Sequence, residues 1–264
     1  MVLCGLVSLS VPGCSERNSG HLHPDGASPG RIFLAGDSTV CDYGDDPDYT
    51  IPRNGWGMYL AEQFRPECTI AVTNLAKSGR SSKSFAEETD HNNYFPLVKE
   101  LKAGDYLFVQ FGHNDNKPSP GDEYRYTDPV PSKETEGSFK WYLYEKYVRM
   151  ARGRGALPVL VTPIVRRNFT GSTLNDTHGA YAAAVRELAR DTGVPLIDLT
   201  AKTAALYDSL GPEGSAVFHS VYKDPARGID NTHLNAAGAR KVAGFVAQGI
   251  FEVRLVIACY LRGA

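Results

Sequence analysis

No run of apolar residues in this chain approaches the roughly 18 to 20 needed to cross a bilayer, so no transmembrane span is expected. Charge of one sign is missing as well. The 28 Lys and Arg stand against 30 Asp and Glu, a formal net charge of -2, which leaves no basic face for nucleic acid or anionic lipid. Cysteine is scarce: Cys4 and Cys14 fall near the N-terminus, and Cys41, Cys68 and Cys259 follow no Cys-x-x-Cys pattern. That supports neither a disulfide framework nor a zinc or redox motif. The acidic run Asp42, Asp45, Asp46 and Asp48 lacks the glycine and terminal glutamate of a calcium loop and reads as a solvated loop. No glycine-rich phosphate loop follows the first predicted strand, which argues against a flavin or nucleotide binder. Neither a metal nor a cofactor is expected.

What remains is an ordinary globular composition over 264 residues, 42% hydrophobic and 22% charged, compatible with one α/β domain and a substantial core. Residues 1–30 differ from the rest. Val2 to Val11 is short and apolar, Gly13-Cys14 follows, and then a stretch rich in Ser, Asn, Gly, His and Pro. This reads as a signal peptide and tether, and the small residue before Cys14 also matches a lipoprotein cleavage site that would make Cys14 a lipid anchor. Pro12 and the lack of Lys or Arg before Arg17 do not fit a standard signal. The expectation is an extracytoplasmic protein with its domain at 31–250 and a tail at 251–264 to which no role is assigned.

Five short β-branched apolar runs read as strands buried on both faces: Ile32 to Ala35, Thr69 to Leu75, Tyr106 to Phe111, Pro158 to Thr162 and Pro195 to Leu199. Between them lie helical stripes, Phe139, Leu143, Tyr147 and Met150 on one helix, and Tyr181, Ala184, Val185 and Leu188 on another. Further helices are predicted at Trp56 to Phe64 and at Asn235 to Gly249, the latter with Asn235 as N-cap and Gly249 as stop. Alternating strands and helices imply right-handed βαβ units, hence a parallel sheet of about five strands with helices on both sides. Ligands then bind beyond the carboxyl ends of the strands. The stretches Asn114 to Thr135 and Leu210 to Asn231 read as long loops on that rim.

Those strand ends carry chemistry. Ser38 follows the first strand, where a tight turn projects its hydroxyl above the sheet and sets its N–H near the start of a following helix. A serine hydroxyl needs a base, and the base an orienting group; His233 and Asp230, three residues apart, lie on one side of a turn and fit these roles. Gly79 and Asn114 offer a backbone N–H and an amide N–H₂ for the oxyanion of an acyl-transfer intermediate, together with the N–H of Ser38.

Five stretches in this order, Gly36-Asp37-Ser38-Thr39, Asn54-Gly55-Trp56-Gly57, Gly79-Arg80-Ser81-Ser82, Gln110-Phe111-Gly112-His113-Asn114-Asp115 and Asp230-Asn231-Thr232-His233, resemble the SGNH (GDSL-like) hydrolase superfamily and within it the rhamnogalacturonan acetylesterase branch. The likeness runs from about Arg31 to Ile250. It implies a three-layer flavodoxin-like fold, and metal-free hydrolysis of acetyl esters on an acetylated plant cell-wall polysaccharide by an exported enzyme. Its Ser, Gly, Asn and His would be Ser38, Gly79, Asn114 and His233.

For the polymer itself, Arg53, Trp56, Arg166, Arg167 and Phe169 are candidates, since aromatic faces stack on sugars and guanidinium groups pair with carboxylates. Exchange of Arg166 and Arg167 for glutamine is then expected to raise KM on acidic polymer alone. Other readings stay open: esterase action on xylan acetyl groups or on lipid or thioester acyl chains, and a non-catalytic carbohydrate-binding protein. The oligomeric state is open too.

Overall fold

The structure, a computed structural model, describes residues 30–68, 70–87 and 93–263. The leader and Cys14 lie outside these residues. Among the described residues ten strands occur in chain order: β1 (Ile32–Gly36), β2 (Tyr49–Ile51), β3 (Val72–Asn74), β4 (Tyr106–Gln110), β5 (Leu157–Val161), β6 (Phe169–Thr170), β7 (Thr173–Leu174), β8 (Leu196–Ile197), β9 (His219–Tyr222) and β10 (Ile229–Leu234). Five of them form one parallel sheet in the order β3-β1-β4-β5-β8. Taken in chain order within the sheet this is the doubly wound arrangement expected, with the winding direction switching between β1 and β4.

Side-chain alternation along these strands builds two cores. Ile32 and Leu34 of β1, Tyr106 and Phe108 of β4 and Val159 and Val161 of β5 pack on one face, against Trp56, Val242, Val246 and Ile250. Phe33, Ala35, Leu107, Val109 and Leu160 pack on the other, against Phe85, Leu97, Phe139, Tyr147, Tyr181 and Leu188. Both faces are dry, which is why these strands read as unbroken apolar runs.

Some expectations change. Trp56 to Phe64 is not an α-helix but two tight 3₁₀ turns, Trp56–Tyr59 and Ala61–Gln63. Its bonds close tight three-residue turns, Met58 N–H to the Gly55 carbonyl, Leu60 N–H to that of Gly57 and Phe64 N–H to that of Ala61, while Trp56 and Gly57 N–H anchor its start to the Thr39 and Val40 carbonyls. Asn235 does cap its helix, accepting from Gly238 N–H at 3.0 Å, but Gly249 does not end it. The helix continues to Glu252, and Gly249 sits where a Cβ would lie 2.5 Å from Ile197 Cγ2, so the glycine serves close helix–strand packing. The stretch from Leu210 is not a long loop either; the helix Leu199–Ser215 runs through it with a break at Gly211, and β9 and β10 follow. The tail folds back on the domain: Ile257 and Ala258 are fully buried and Leu261 bridges to Phe64. Among the described residues no helix is long and apolar enough to cross a membrane.

Candidate active site

Beyond β1 the chain closes one turn, with Val40 and Cys41 N–H both donating to the Asp37 carbonyl at 3.1 Å. No longer helix follows, contrary to the sequence expectation, so Ser38 stands on an isolated turn. Polar bonds beneath it fix that turn. Asp37 Oδ1 accepts the Thr39 N–H (2.9 Å) and hydroxyl (2.8 Å), Gln110 Nε2 at the end of β4 donates to Thr39 Oγ1 (2.6 Å), and Trp56 Nε1 donates to Gln110 Oε1 (2.9 Å). Trp56 is only 1% exposed. It is a strut under the nucleophile turn and cannot stack on a sugar, which corrects its assignment to the substrate.

The opposite wall is a small antiparallel sheet, β10-β9-β2. On a regular strand, residues three apart point to opposite faces. Here Ile229 pairs with Val221 and Leu234 with His219, so five steps along β10 match two along β9. This bulge, rather than a plain turn, brings Asp230 and His233 to one side. Asp230 Oδ1 accepts the N–H groups of Thr232 (2.9 Å) and His233 (3.0 Å), and its Oδ2 lies 2.7 Å from His233 Nδ1. A carboxylate only accepts, so Nδ1 carries the proton and Nε2 is left as acceptor for the Ser38 hydroxyl, 3.0 Å away. Burial would raise the Asp230 carboxyl, but the His233 ring, the Tyr49 hydroxyl and the Thr232 amide hold it well below the usual carboxylate range.

Asn114 follows β4 and donates an amide hydrogen to the Arg80 carbonyl at 2.9 Å, which ties it to the Gly79 turn. Gly79 has φ +78°, a left-handed conformation that glycine adopts at little cost. Lys117 Nζ lies 2.9 Å from Asn114 Oδ1 and thereby sets which end of the amide faces outward.

Two further groups, Tyr49 and Tyr43, had no signal in the sequence, and Arg53 takes a place other than the one expected. Tyr49 donates its hydroxyl to Asp230 Oδ2 at 2.7 Å, Tyr43 donates to the Ser38 carbonyl at 2.9 Å, and the Arg53 guanidinium lies 4.6 and 4.8 Å from their two rings. Arg53 is also paired twice with Asp46, at 2.9 and 3.0 Å. This corrects two expectations: Arg53 is not free for a sugar carboxylate, and Asp46 is not merely a solvated member of an acidic loop.

Arg166, Arg167 and Phe169 do come together, lining a cleft of about 430 Å³ with Pro212, Asn231 and Thr232. Arg166 donates to Thr232 Oγ1 and, at 3.1 Å, to the His113 carbonyl; Arg167 donates to the Pro212 carbonyl and to Asn231 Oδ1. Neutral oxygens hold both cations.

Behind the site, His113 Nδ1 lies 3.3 Å from Asp37 Oδ2 and its ring 4.3 Å from that of His178, and burial pushes both imidazoles down. Asp115 is fully buried; its Oδ1 accepts Ser82 Oγ (2.5 Å), Ser82 N–H (3.0 Å) and Thr127 Oγ1 (2.9 Å). Burial nevertheless pushes its carboxyl up to about 7. An acid whose pKa is raised on folding is fully compatible with the fold below its unfolded pKa, and stability is lost as pH rises toward the folded value. Between about pH 4 and 7 the native protein should therefore lose on the order of 4 kcal/mol through this group. Asp115→Asn keeps an acceptor for the three donors and should abolish that slope; denaturant unfolding of both proteins from pH 5 to 8 checks it, and identical slopes would refute it. The Cys41 thiol, also buried, is pushed up to about 12 and is no nucleophile at neutral pH. Among the described residues no three His, Cys, Asp or Glu side chains are grouped to hold a metal ion.

Comparison with known proteins gives a consistent picture. The model of the GDSL-like lipase/acylhydrolase family matches residues 34–241. The chain is 38% identical over 242 residues to a rhamnogalacturonan acetylesterase of Bacillus subtilis (strain 168), covering 88% of this chain and 94% of that one. It is 37% identical over 229 residues to a probable rhamnogalacturonan acetylesterase of the same strain, covering 85% and 94%. A solved Bacillus subtilis protein superposes with TM-score 0.65 at 29% identity over 86% of this chain; this chain spans 57% of its length. An acetylxylan esterase of Geobacillus stearothermophilus shares the fold, with TM-score 0.59 at 16% identity over 84% of this chain and 94% of that one.

Proposed function

The chain belongs to the GDSL-like lipase/acylhydrolase family, in its rhamnogalacturonan acetylesterase branch, and we propose that Ser38, His233 and Asp230 form the triad with which it removes O-acetyl groups from an acidic plant cell-wall polysaccharide of the rhamnogalacturonan type. The observation that carries this reading is the continuous chain of contacts from Ser38 Oγ to His233 Nε2 (3.0 Å) and from His233 Nδ1 to Asp230 Oδ2 (2.7 Å).

The reaction follows from those atoms. His233 Nε2 takes the hydroxyl proton as Ser38 Oγ attacks the acetyl carbon, and the imidazolium remains paired with the ionised Asp230. Negative charge on the carbonyl oxygen meets the N–H groups of Ser38 and Gly79 and the free amide hydrogen of Asn114, whose other hydrogen is engaged by Arg80. Collapse breaks the bond to the sugar oxygen, which leaves with the proton from His233. Water then attacks acetyl-Ser38, giving its proton to the same nitrogen; as the second intermediate collapses, Ser38 Oγ leaves with that proton from His233 and acetic acid is released, which ionises to acetate in solvent.

Substrate class is read from the cleft beside the triad. Two guanidinium groups satisfied by neutral oxygens retain their charge for a carboxylate-bearing sugar, and the half-buried Phe169 offers an apolar edge. A neutral acetylated xylan uses neither cation, and a long acyl chain finds no apolar trench there. A polymer of this kind is met outside the cell, so the reading includes export through the leader at 1–30.

Arg167→Gln is the cleaner probe than Arg166→Gln, because Arg166 also braces the His113 carbonyl next to Asn114. With acetate release as readout, the wild type should favour acetylated acidic pectin fragments over acetylated xylan. Arg167→Gln should raise KM on the acidic polymer by about five- to tenfold while changing a neutral acetyl ester less than about twofold. Equal effects on both substrates, or a preference for xylan, would reject the acidic-polymer reading.

A further inference from the structure

We propose that Tyr49 is a positioning residue of this site, its hydroxyl fixing the Asp230 carboxylate that orients His233, while the Asp46–Arg53 pair holds the tyrosine in place. The inference rests on the triad reading above and goes beyond it.

The geometry is specific. Tyr49 lies 181 positions before Asp230, yet its hydroxyl donates to Asp230 Oδ2 at 2.7 Å, the same oxygen and distance as the His233 Nδ1–H bond. With Thr232 and His233 N–H on Oδ1, the carboxylate receives four donors and has no rotational freedom left. Removing any one of the amides would require moving the backbone; Tyr49 is the one donor supplied by a separate element.

β2 is three residues long, an edge strand laid on β9 with Tyr49 opposite Tyr222. The two rings stack at 4.5 Å, and the Arg53 guanidinium covers Tyr49 from 4.6 Å. Arg53 also lies over Tyr43, whose hydroxyl bonds the Ser38 carbonyl, so one cation braces both a nucleophile contact and a triad contact.

The chemistry predicts a direction. A hydroxyl donor withdraws negative charge from the carboxylate oxygen that faces the imidazole, so losing it strengthens the hold of Asp230 on the imidazolium. The charged and titratable groups facing this pair are Ser38, Asp46, Arg53, Tyr222, Arg166, His113 and His219. Tyr49→Phe leaves all of them in place and keeps the ring that packs on Tyr222 and Arg53.

The test is the pH dependence of kcat/KM for Tyr49→Phe on a soluble acetyl ester, with kcat and KM separated and a thermal melt run beside it. The acidic limb should move to higher pH by about half a unit, and kcat should fall about three- to tenfold with KM within about twofold. An unmoved limb, or one moved to lower pH, overturns the proposal, and so does a lowered melting point with limb and kcat intact, which would leave Tyr49 a packing role only. If turnover is too low to titrate, the downfield proton resonance of the His233–Asp230 bond should shift on loss of the hydroxyl; an unshifted resonance overturns the proposal equally. Ser38→Ala run in parallel separates the two readings: if it stays active the triad itself is wrong, whereas an inactive Ser38→Ala beside a wild-type-like Tyr49→Phe rejects only the role of Tyr49.

Discussion

Ser38→Ala should lower kcat for an acetyl ester by about 10⁴- to 10⁶-fold while leaving the protein folded. Two features set the size of the effect. The hydroxyl is the only atom lost, and it is the atom that becomes the acyl carrier, so the surviving groups can at best bind the ester and polarise its carbonyl. The turn that holds it does not depend on that hydroxyl: Asp37, Thr39 and Gln110 fix the backbone, and the exchange removes a single oxygen, too little to open a cavity of consequence. His233 Nε2 loses its partner, but its side chain is 19% exposed, so water can take the place of the hydroxyl. Melting temperature should stay within a few degrees of wild type. Rapidly quenched wild-type enzyme should carry an acetyl group on Ser38 by peptide mass spectrometry, and the variant none. A variant that keeps more than about a hundredth of wild-type turnover would require another nucleophile.

How far the sequence foretold this site depends on what kind of contact was involved. The five sheet strands were legible because burial on both faces forces continuous apolar runs such as residues 106–109, and burial of that sort leaves a one-dimensional trace. The strand-end blocks were legible because ligands of a parallel α/β sheet bind beyond the carboxyl ends of its strands, and because the five blocks in that order resemble a known family. The small sheet was not. Ile229–Leu234 reads Ile-Asp-Asn-Thr-His-Leu, too polar for a strand pattern, and its bulge has meaning only against β9. The partner of a polar side chain was equally hidden. Nothing in the order of residues says that Arg53 closes on Asp46 rather than on a sugar, that Trp56 spends its indole N–H on Gln110 beneath the nucleophile, or that Tyr49, set in an acidic stretch, reaches across 181 positions to Asp230. Periodicity reports burial; it does not report who bonds whom.

That distinction makes the acid of the triad the most informative single substitution. Asp230→Asn is nearly isosteric, yet it should lower kcat by about 10⁴-fold. In the wild type all four acceptor directions of the carboxylate are filled by donors: two backbone N–H groups on Oδ1, and the His233 ring and Tyr49 hydroxyl on Oδ2. An amide has one oxygen, so its nitrogen must face two donors whichever way it is turned. With nitrogen at the Oδ2 position it opposes Tyr49 and donates to His233 Nδ1, which drives the ring proton to Nε2 and leaves no acceptor for the Ser38 hydroxyl. With nitrogen at the Oδ1 position it opposes the amides of Thr232 and His233, and the bulge that brings the imidazole to Ser38 loses its anchor. Either choice also leaves buried donors without acceptors, at a cost of about 1–3 kcal/mol, so the variant should be both inactive and measurably less stable. Ser38→Ala should be inactive without that loss. Kinetics and melting curves of the two variants side by side therefore separate a residue that performs a step from one that also holds the site together, and an Asp230→Asn protein with wild-type stability would show that the four-donor arrangement does not hold the bulge.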